Sequence, residues 1–359
     1  MAQGDKILSI QALRGIAAIL VVVFHAQVLL EKFVAKGAQP AWLNSIPLLA
    51  KGGQVGVDIF FVISGLVIVY TCWDRFGCPV NAAFFLKKRI FRIFPVYWLN
   101  LVPWVIVFLF FSHALASHPV FNLEQTIFSF FLIPCFNGMN GPLNTYYLLG
   151  AAWALTYEFY FYLLVTLALF FDRKWFVPII IVCFAGGTFI PQKETIPLLT
   201  IFSSSLLAEF LYGMAIGYAL RRAVRIPKWS ALSALLLAPA LFWGSEYLPI
   251  YRGYSGGIPA ALLVFGVVFL DRAGTLRMPC WLSAVGNSSY SLYLSHGIVQ
   301  SALGKILTLS GMWPALSGDL YVFLISLISI LTGYCCWLLT EKPLDAWFSR
   351  RFLRREAAR

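Results

Sequence analysis

The sequence predicts an all-α polytopic membrane protein, and its composition, its apolar runs and its charge distribution all indicate this class. Of its 359 residues, 60% are hydrophobic and only 12% are charged, which is more apolar surface than a water-soluble core of this length buries. The formal net charge is +12, but the basic residues lie in short clusters between apolar runs. They therefore indicate membrane topology rather than nucleic-acid binding.

Apolar runs of membrane-spanning length recur along the whole chain. A run of about 17 to 25 apolar residues crosses a hydrocarbon core of roughly 30 Å. We predict about ten transmembrane helices, near residues 9–30, 55–73, 93–112, 150–171, 175–191, 199–220, 229–247, 255–271, 281–308 and 320–340. A further piece near 124–136 is short and contains Pro134, which indicates a re-entrant or interfacial segment. The expected organisation is a single transmembrane domain over 1–345 and a short basic tail over 346–359.

Basic residues are concentrated in every second loop of this arrangement. Loops rich in lysine and arginine face the cytoplasm, and here they contain Lys87, Lys88, Arg89 and Arg92, then Arg173 and Lys174, then Arg221, Arg222, Arg225 and Lys228, then Arg272 and Arg277. The alternation stays in phase only if residues 113–147 begin and end outside. Both termini are therefore predicted to be cytoplasmic. The first apolar run, which no convincing cleavage site follows, is expected to stay as a helix.

Arg14 and His25 are the most informative polar residues, because both lie within the first apolar run. Eleven residues of α-helix turn about 1100°, close to three full turns, and rise about 16 Å, so the two side chains share one face. Ionisable residues in a span usually face a protein interior or a watery cavity, and a histidine there is a natural general base for a hydroxyl. Two plainer interpretations stay open. Arg14 could reach the inner interface, and His25 could be a hydrogen-bonded packing residue.

Two acidic residues lie at depths where a carboxylate is costly. Asp58 begins the second span from the outside, so it could orient the His25 imidazole and stabilise its charged form, or pair with a lysine at the outer end. Glu158 lies about eight residues, roughly 12 Å, below the outer surface and beside Tyr157, which favours a functional role. Glu209 is also near mid-span but stands next to small packing residues, so both a structural and a functional role are open.

Arg89 and Arg92 form an R-x-x-R pair at the cytoplasmic start of the third span. The i, i+3 spacing aims both guanidinium groups to one side of a helix, and forked donors suit phosphates, although basic residues here could equally be topology anchors. A second motif, SYSLYLSH, carries Tyr290, Tyr293 and His296. It is either an aromatic wall with a buried histidine or part of a substrate cavity.

Taken in order, these segments resemble the membrane-bound acyltransferase family 3. The resemblance covers essentially all of residues 8–345 and rests on RGIAAILVVVFH, GVDIFFVISGL, RIFRIFPVYW, WALTYEFYFY, EFLYGMAIG, SYSLYLSH and TEKP, of which the last could simply end the final helix. The ordered set is specific, although no single motif is. It implies a ten-helix enzyme of the bacterial inner membrane that moves an acyl group, commonly acetyl from acetyl-CoA, to a hydroxyl of an extracytoplasmic carbohydrate or glycolipid.

The resemblance also implies roles for particular residues, because the R-x10-H and R-x-x-R pairs match pairs regarded as needed for activity. The expected catalytic residues are His25, Asp58 and Glu158. The expected acyl-CoA-binding residues are Arg14, Arg89 and Arg92, and the expected substrate cavity contains Tyr157, Tyr290, Tyr293 and His296. Either Asp58 or Glu158 could fix the tautomer and charge of His25, and the acyl group could pass directly or through an acyl-histidine. No metal is expected, since the seven cysteines lack paired C-x-x-C spacing.

A proton-coupled exporter of a lipid-linked sugar is the main alternative. In it, His25, Glu158 and Glu209 would form a proton relay. Transporters often show two-fold internal repeats with paired broken helices, and no such repeat is visible in the sequence. A purely structural scaffold is disfavoured by the number of deep charges. Among acceptors, O-antigen, capsular polysaccharide, exopolysaccharide, a signalling oligosaccharide and a macrolide are all compatible with the motifs.

Overall fold

A computed structural model describes residues 8–34, 40–42, 52–110, 122–136, 145–189, 196–244, 251–311 and 316–353. In these ranges the chain is almost entirely helical, with α1 (Leu8–Val34), α2 (Gly52–Cys72), α3 (Pro79–Phe110), α4 (Leu123–Phe130), α5 (Ala152–Leu169), α6 (Phe176–Thr188), α7 (Pro197–Phe202), α8 (Leu207–Arg221), α9 (Lys228–Gly244), α10 (Arg252–Ser255), α11 (Gly257–Arg272), α12 (Cys280–Asn287), α13 (Ser289–Ser310), α14 (Gly318–Cys336) and α15 (Lys342–Phe348). A two-residue antiparallel ladder joins β1 (Cys135–Phe136) to β2 (Thr145–Tyr146).

Six helical segments in the described ranges are long and apolar enough to cross a membrane, namely Leu8–Lys32, Val55–Cys72, Pro79–Phe110, Ala152–Leu169, Arg252–Arg272 and Gly318–Arg351. They confirm the predicted class, a multi-pass membrane protein built of α-helices. The other four predicted runs also lie on helices, but these are shorter or interrupted. The count of about ten spans and the cytoplasmic position of both termini therefore stay predictions.

Serine side chains mark the two places where a predicted span is interrupted. The run at 281–308 is divided into α12 and α13 at Ser288, whose Oγ donates to the carbonyl of Val285 at 2.9 Å. The run at 199–220 is divided into α7 and α8, and there Ser204 Oγ accepts from the backbone N–H of Leu206 at 3.3 Å. Such local side-chain bonds compete with the helical hydrogen-bond ladder, so an uninterrupted apolar run does not ensure one continuous helix.

The helices group into two compact units, the first within residues 1–71 and 208–339 and the second within residues 72–207 and 340–359. In the first unit, α1 packs against α11, α12, α13 and α14, and α9 packs against α11. Glycines allow the closest approaches in this unit. A Cβ on Gly65 of α2 would strike the carbonyl of Phe210 in α8, and one on Gly213 of α8 would strike the carbonyl of Val62. Gly65 and Gly213 therefore allow α2 and α8 to pack closely.

In the second unit, α3 packs against α5, and α6 packs against α5 and α7. The short helix α4 lies where a re-entrant or interfacial segment was predicted, and its C-terminal end is bound to α3. Tyr97 donates from its hydroxyl to the carbonyl of Ser129 at 2.6 Å, and Trp98 donates from Nε1 to the carbonyl of Phe130 at 2.9 Å. These bonds supply partners for carbonyls at the end of a helix, which is what irregular backbone at membrane depth requires.

The C-terminal helix does not end at the TEKP segment, contrary to that interpretation of the motif. After α14 the chain passes through a π-helical turn, Trp337–Glu341, into α15 and then a second such turn, Ser349–Leu353. Pro343 lies in the first turn of α15, where its missing N–H costs little. The helix therefore continues past residue 345, and the last residues of the predicted tail, 354–359, lie outside the described ranges.

Candidate functional site

His25 lies on α1 with its ring exposed and its tautomer fixed by the helix that carries it. Its Nδ1 lies 2.8 Å from the carbonyl oxygen of Val21, one turn earlier. A carbonyl can only accept, so Nδ1 carries the proton and the lone pair of the neutral imidazole is on Nε2. The ring therefore presents a proton acceptor at Nε2, as a general base for a hydroxyl requires.

A second histidine lies beside the first. The rings of His25 and His296 meet edge to face with centroids 4.8 Å apart, and the ring of Tyr293 lies 5.9 Å from that of His296. Phe60 of α2 extends the aromatic group, with its ring 6.1 Å from that of Tyr293. His296 and Tyr293 are buried, as is Tyr290, so the SYSLYLSH motif forms an aromatic wall next to His25.

Arg14 keeps the helical register that the sequence predicts. It lies on the same unbroken helix as His25, eleven residues earlier, and its side chain is half-buried. The two residues therefore share one face of α1, about 16 Å apart along the axis.

Asp58 has a different partner from the one expected. Its side chain is only 1% exposed, and its Oδ1 accepts a hydrogen bond of 2.9 Å from Nη2 of Arg252. The sequence predicts that Asp58 or Glu158 fixes the tautomer of His25, whereas in the structure the Val21 carbonyl accepts the bond from its Nδ1. Asp58 instead forms an ion pair that joins α2 to α10.

Glu209 completes this acidic group in the first unit. It is fully buried on α8, within electrostatic range of both Asp58 and Arg252. Within the described ranges neither Glu209 oxygen has a hydrogen-bond partner, and the same holds for Oδ2 of Asp58. The carboxyl group fits against Gly257, where a Cβ would come within 2.6 Å of the Glu209 Cγ. The guanidinium of Arg252 is thus hydrogen-bonded to Asp58 and lies within electrostatic range of Glu209.

Arg89 lies among aromatic rings of the second unit. Its Cζ is 4.6 Å from the ring centroid of Tyr162 and 5.0 Å from that of Phe85, within the range of a cation–π interaction. The hydroxyl of Tyr162 in turn donates a hydrogen bond to Oε1 of Glu158, one helical turn earlier on α5. Arg89 and Glu158, which the sequence treats separately, are therefore joined through one tyrosine.

Arg92 belongs to the same group of charges. The carboxylates of Glu158, Glu341 and Asp345 and the hydroxyl of Tyr162 all lie within electrostatic range of its guanidinium. Glu341 is buried in the π-helical turn that precedes α15. We call Arg89, Arg92, Tyr162 and Glu158 the arginine cluster.

Tyr157 is the remaining residue of the predicted substrate cavity. It is half-buried, with its ring centroid 6.1 Å from that of Trp153.

The predicted residues thus fall into three groups of contacts. His25 with Tyr293 and His296, and Asp58 with Glu209, lie in the first unit, and the arginine cluster lies in the second. Two important residues were not among the predicted ones. Tyr162 could have been found from its i, i+4 spacing to Glu158. Arg252 had no local signal, because it lies 194 residues from Asp58 in the sequence.

Comparison with known proteins gives these residues a family context. The model of the acyltransferase domain matches residues 7–341. Exopolysaccharide production protein ExoZ of Rhizobium meliloti is 30% identical over 301 residues, which cover 81% of this chain and 89% of that protein. Acyltransferase MdmB of Streptomyces mycarofaciens is 25% identical over an alignment 384 positions long, which covers 96% of this chain and 92% of that protein.

A third relative extends beyond the length of this chain. Peptidoglycan O-acetyltransferase OatA of Listeria monocytogenes is 25% identical over an alignment 366 positions long, which covers 89% of this chain but 54% of that protein. No solved structure matches the chain. The domain match over nearly the whole length, together with the similarity to ExoZ, shows that the chain belongs to the acyltransferase 3 family.

Proposed function

We propose that this protein transfers an acyl group, acetyl in the simplest case, from cytoplasmic acyl-CoA to a hydroxyl of an extracytoplasmic carbohydrate. It would act in the bacterial inner membrane, with about ten spans and both termini in the cytoplasm. The family supports acyl transfer, and the names of two relatives, an exopolysaccharide production protein and a peptidoglycan O-acetyltransferase, favour a glycan acceptor. The observation that best supports acyl transfer is the fixed tautomer of His25, whose Nε2 is left as a proton acceptor.

His25 supplies the base that this reaction needs. The acceptor hydroxyl loses its proton to Nε2 while its oxygen bonds to the acyl carbon, and the charged imidazole keeps its Nδ1 bond to the Val21 carbonyl. The thioester C–S bond then breaks, and the thiolate of CoA takes the proton from Nε2. The products are the O-acyl ester and CoA thiol, with no proton gained or lost overall.

The arginine cluster is the proposed holder of the donor. CoA carries phosphates, and a planar guanidinium binds phosphate oxygens through two parallel hydrogen bonds. The rings of Phe85 and Tyr162 lie within cation–π distance of the Arg89 guanidinium and stabilise its position. Arg92 adds a second positive charge one turn along α3. Arg14, which lies in the first unit, stays a predicted acyl-CoA-binding residue.

The test replaces His25 with asparagine in purified protein in lipid nanodiscs. Asparagine keeps the bond to the carbonyl one turn earlier, because Asn100 already makes such a bond, from Nδ2 to the carbonyl of Val96 at 2.8 Å. It lacks the acceptor that Nε2 provides. With labelled acetyl-CoA and deacetylated cell-envelope glycan, His25→Asn should lose at least about 100-fold in acyl transfer, while its thermal unfolding matches the wild type.

Transfer by His25→Asn at the wild-type rate would refute the role of His25 as base. A wild-type protein that releases no CoA in the presence of glycan would refute acyl transfer altogether. It would then favour the alternative, a proton-coupled exporter, in which the buried carboxyl group of Glu209 would belong to the proton relay. An exporter moves its substrate without splitting acetyl-CoA, so the same assay separates the two functions.

A further inference from the structure

The short helix α4 and the turn that follows it are bound to α3 and α5 at several points in the second unit. Besides the bonds from Tyr97 and Trp98 described above, the hydroxyl of Ser129 accepts from the backbone N–H of Leu148 at 3.2 Å. Thr156 of α5 donates from Oγ1 to the carbonyl of Leu132 at 3.1 Å. Leu132 has a positive φ of 57°, a conformation that a leucine keeps only when its surroundings enforce it.

This anchoring fixes the position of α4 relative to the arginine cluster of the same unit. Tyr97 lies five residues after Arg92 on α3, a rise of about 7.5 Å, and Thr156 lies two residues before Glu158 on α5, a rise of about 3 Å. The C-terminal end of α4 is thus held beside the arginine cluster. Its N-terminal end begins at Asn122, which lies in the stretch that the charge alternation places outside.

A cavity of about 340 Å³ runs beside α4. Its lining includes three polar residues at the N-terminal end of the helix, Asn122, Glu124 and Gln125. The rest of the lining is mostly apolar and consists of Phe128, residues 133–135 after the helix and residues 196–198 at the start of α7. Of the polar residues, Asn122 uses its Oδ1 to accept from the backbone N–H of Gln125 at 3.2 Å, which leaves its amide N–H groups available as donors.

This mixed lining suits a sugar ring. A pyranose presents hydroxyl groups around its rim and C–H groups on its flat faces, so it binds where amide or carboxylate groups and aromatic or aliphatic surfaces lie together. A cavity of a few hundred Å³ with mostly apolar walls and a few convergent polar groups is the usual form of a small-molecule site. An acyl chain would leave the polar groups of Asn122, Glu124 and Gln125 without partners, which is costly.

We propose that this cavity is the acceptor subsite, where a sugar unit of the glycan binds along α4 with its hydroxyls toward Asn122, Glu124 and Gln125. This rests on the proposed transfer to a carbohydrate and adds the place where the carbohydrate is held. The glycan enters from the outer end of α4. Glu124 and Gln125 are specificity-determining residues, since they contact hydroxyls but not the transferred acyl group.

A natural cysteine in the wall allows binding to be measured without any substitution. Cys135 lines the cavity and is half-buried, and burial together with the nearby Glu124 carboxylate raises the pKa of its thiol to about 11. Only the thiolate reacts, so alkylation of Cys135 should be slow and should still quicken about tenfold per pH unit near pH 9. Cys280 is exposed in the first unit and serves as the internal control.

The experiment measures alkylation of both cysteines by peptide mass spectrometry in the wild-type protein in nanodiscs. Two probes are used. The first is a set of oligosaccharides prepared from exopolysaccharide of the strain that encodes this protein and deacetylated with alkali. The second is 1-hexanol, an apolar molecule that lacks a ring of hydroxyl groups. The oligosaccharides should slow the labelling of Cys135 at least about threefold and leave that of Cys280 unchanged. Protection by 1-hexanol but not by the oligosaccharides, or equal labelling with and without oligosaccharide, would overturn the proposal.

Kinetics of variants give a second and independent measurement. Glu124→Gln and Gln125→Ala should each raise the KM for the glycan about tenfold, the effect of one lost hydrogen bond, with kcat and the KM for acetyl-CoA unchanged. The matched control is Ile127→Ala, because Ile127 is an exposed residue of α4 that does not line the cavity. An unchanged glycan KM in both variants would overturn the subsite while leaving the transfer reaction and the role of His25 intact. Protection of Cys135 in a protein that transfers no acyl group would instead keep the subsite and refute the proposed function.

Discussion

Arg252 donates a hydrogen bond of 2.9 Å from Nη2 to Oδ1 of Asp58, and the side chain of Asp58 is 1% exposed whereas that of Arg252 is 31% exposed. One end of this ion pair is therefore inside the first unit and the other reaches its surface. Removing one partner of such a pair leaves the other charge without compensation, which costs more than the pair itself contributes.

Asp58→Asn is accordingly expected to destabilise the protein. Asparagine keeps the shape of the side chain but not the charge that balances Arg252, so the free energy of unfolding should fall by about 1 to 3 kcal/mol. Glu209→Gln is the matched control. Glu209 is equally buried, but among the described residues neither of its oxygens accepts a hydrogen bond, so Glu209→Gln breaks no described hydrogen bond. Thermal unfolding in detergent, followed by tryptophan fluorescence, measures both variants, and equal effects would contradict the role of Arg252.

The link between Tyr162 and Glu158 gives a second prediction. Tyr162→Phe removes the hydroxyl that donates to Glu158 but keeps the ring beneath Arg89. We expect acyl transfer to fall about tenfold, because one hydrogen bond to a charged group is lost, with no change in thermal unfolding beyond about 1 kcal/mol. Tyr160→Phe is the control on the same helix, since its ring contacts Phe202 at 4.2 Å between centroids. Equal activity of Tyr162→Phe and Tyr160→Phe would show that the hydroxyl has no part in the reaction.

The sequence predicted the helical membrane class and the shared face of Arg14 and His25, since both follow from apolar run length and helical periodicity. It did not predict the partner of Asp58, because an ion pair across 194 residues depends on how α2 and α10 pack. Nor did it predict that a backbone carbonyl, rather than a carboxylate, fixes the His25 tautomer. Every residue has a backbone carbonyl, so no residue type in the sequence indicates this hydrogen-bond partner. The interruption at Ser288 was missed for a related reason, as serine is common in continuous membrane helices.

Arg89 gives a third prediction, which concerns the donor. Arg89→Lys keeps the positive charge but loses the planar group that lies over Tyr162 and Phe85 and that can bind a phosphate through two bonds. The KM for acetyl-CoA should rise about tenfold and the KM for the glycan should stay constant. Arg173→Lys is the control, because Arg173 also lies over a ring, at 4.9 Å from the centroid of Trp73, but is exposed. If Arg89→Lys raised the KM for the glycan rather than the KM for acetyl-CoA, Arg89 would bind the acceptor and not the donor.

The glycine contacts between α2 and α8 give a prediction about stability alone. A Cβ on Gly213 would meet the carbonyl of Val62, and backbone cannot move aside as a flexible side chain can. Gly213→Ala should therefore force the two helices apart and destabilise the protein by about 1 to 3 kcal/mol. Gly297→Ala is the matched control within a helix of the same unit. No described heavy atom outside the helix lies within 4 Å of its added Cβ, and alanine favours a helix by about 0.5 to 1 kcal/mol over glycine. The two substitutions should shift the unfolding temperature in opposite directions, and a shift of the same sign in both would show that close approach at Gly213 does not hold α2 against α8.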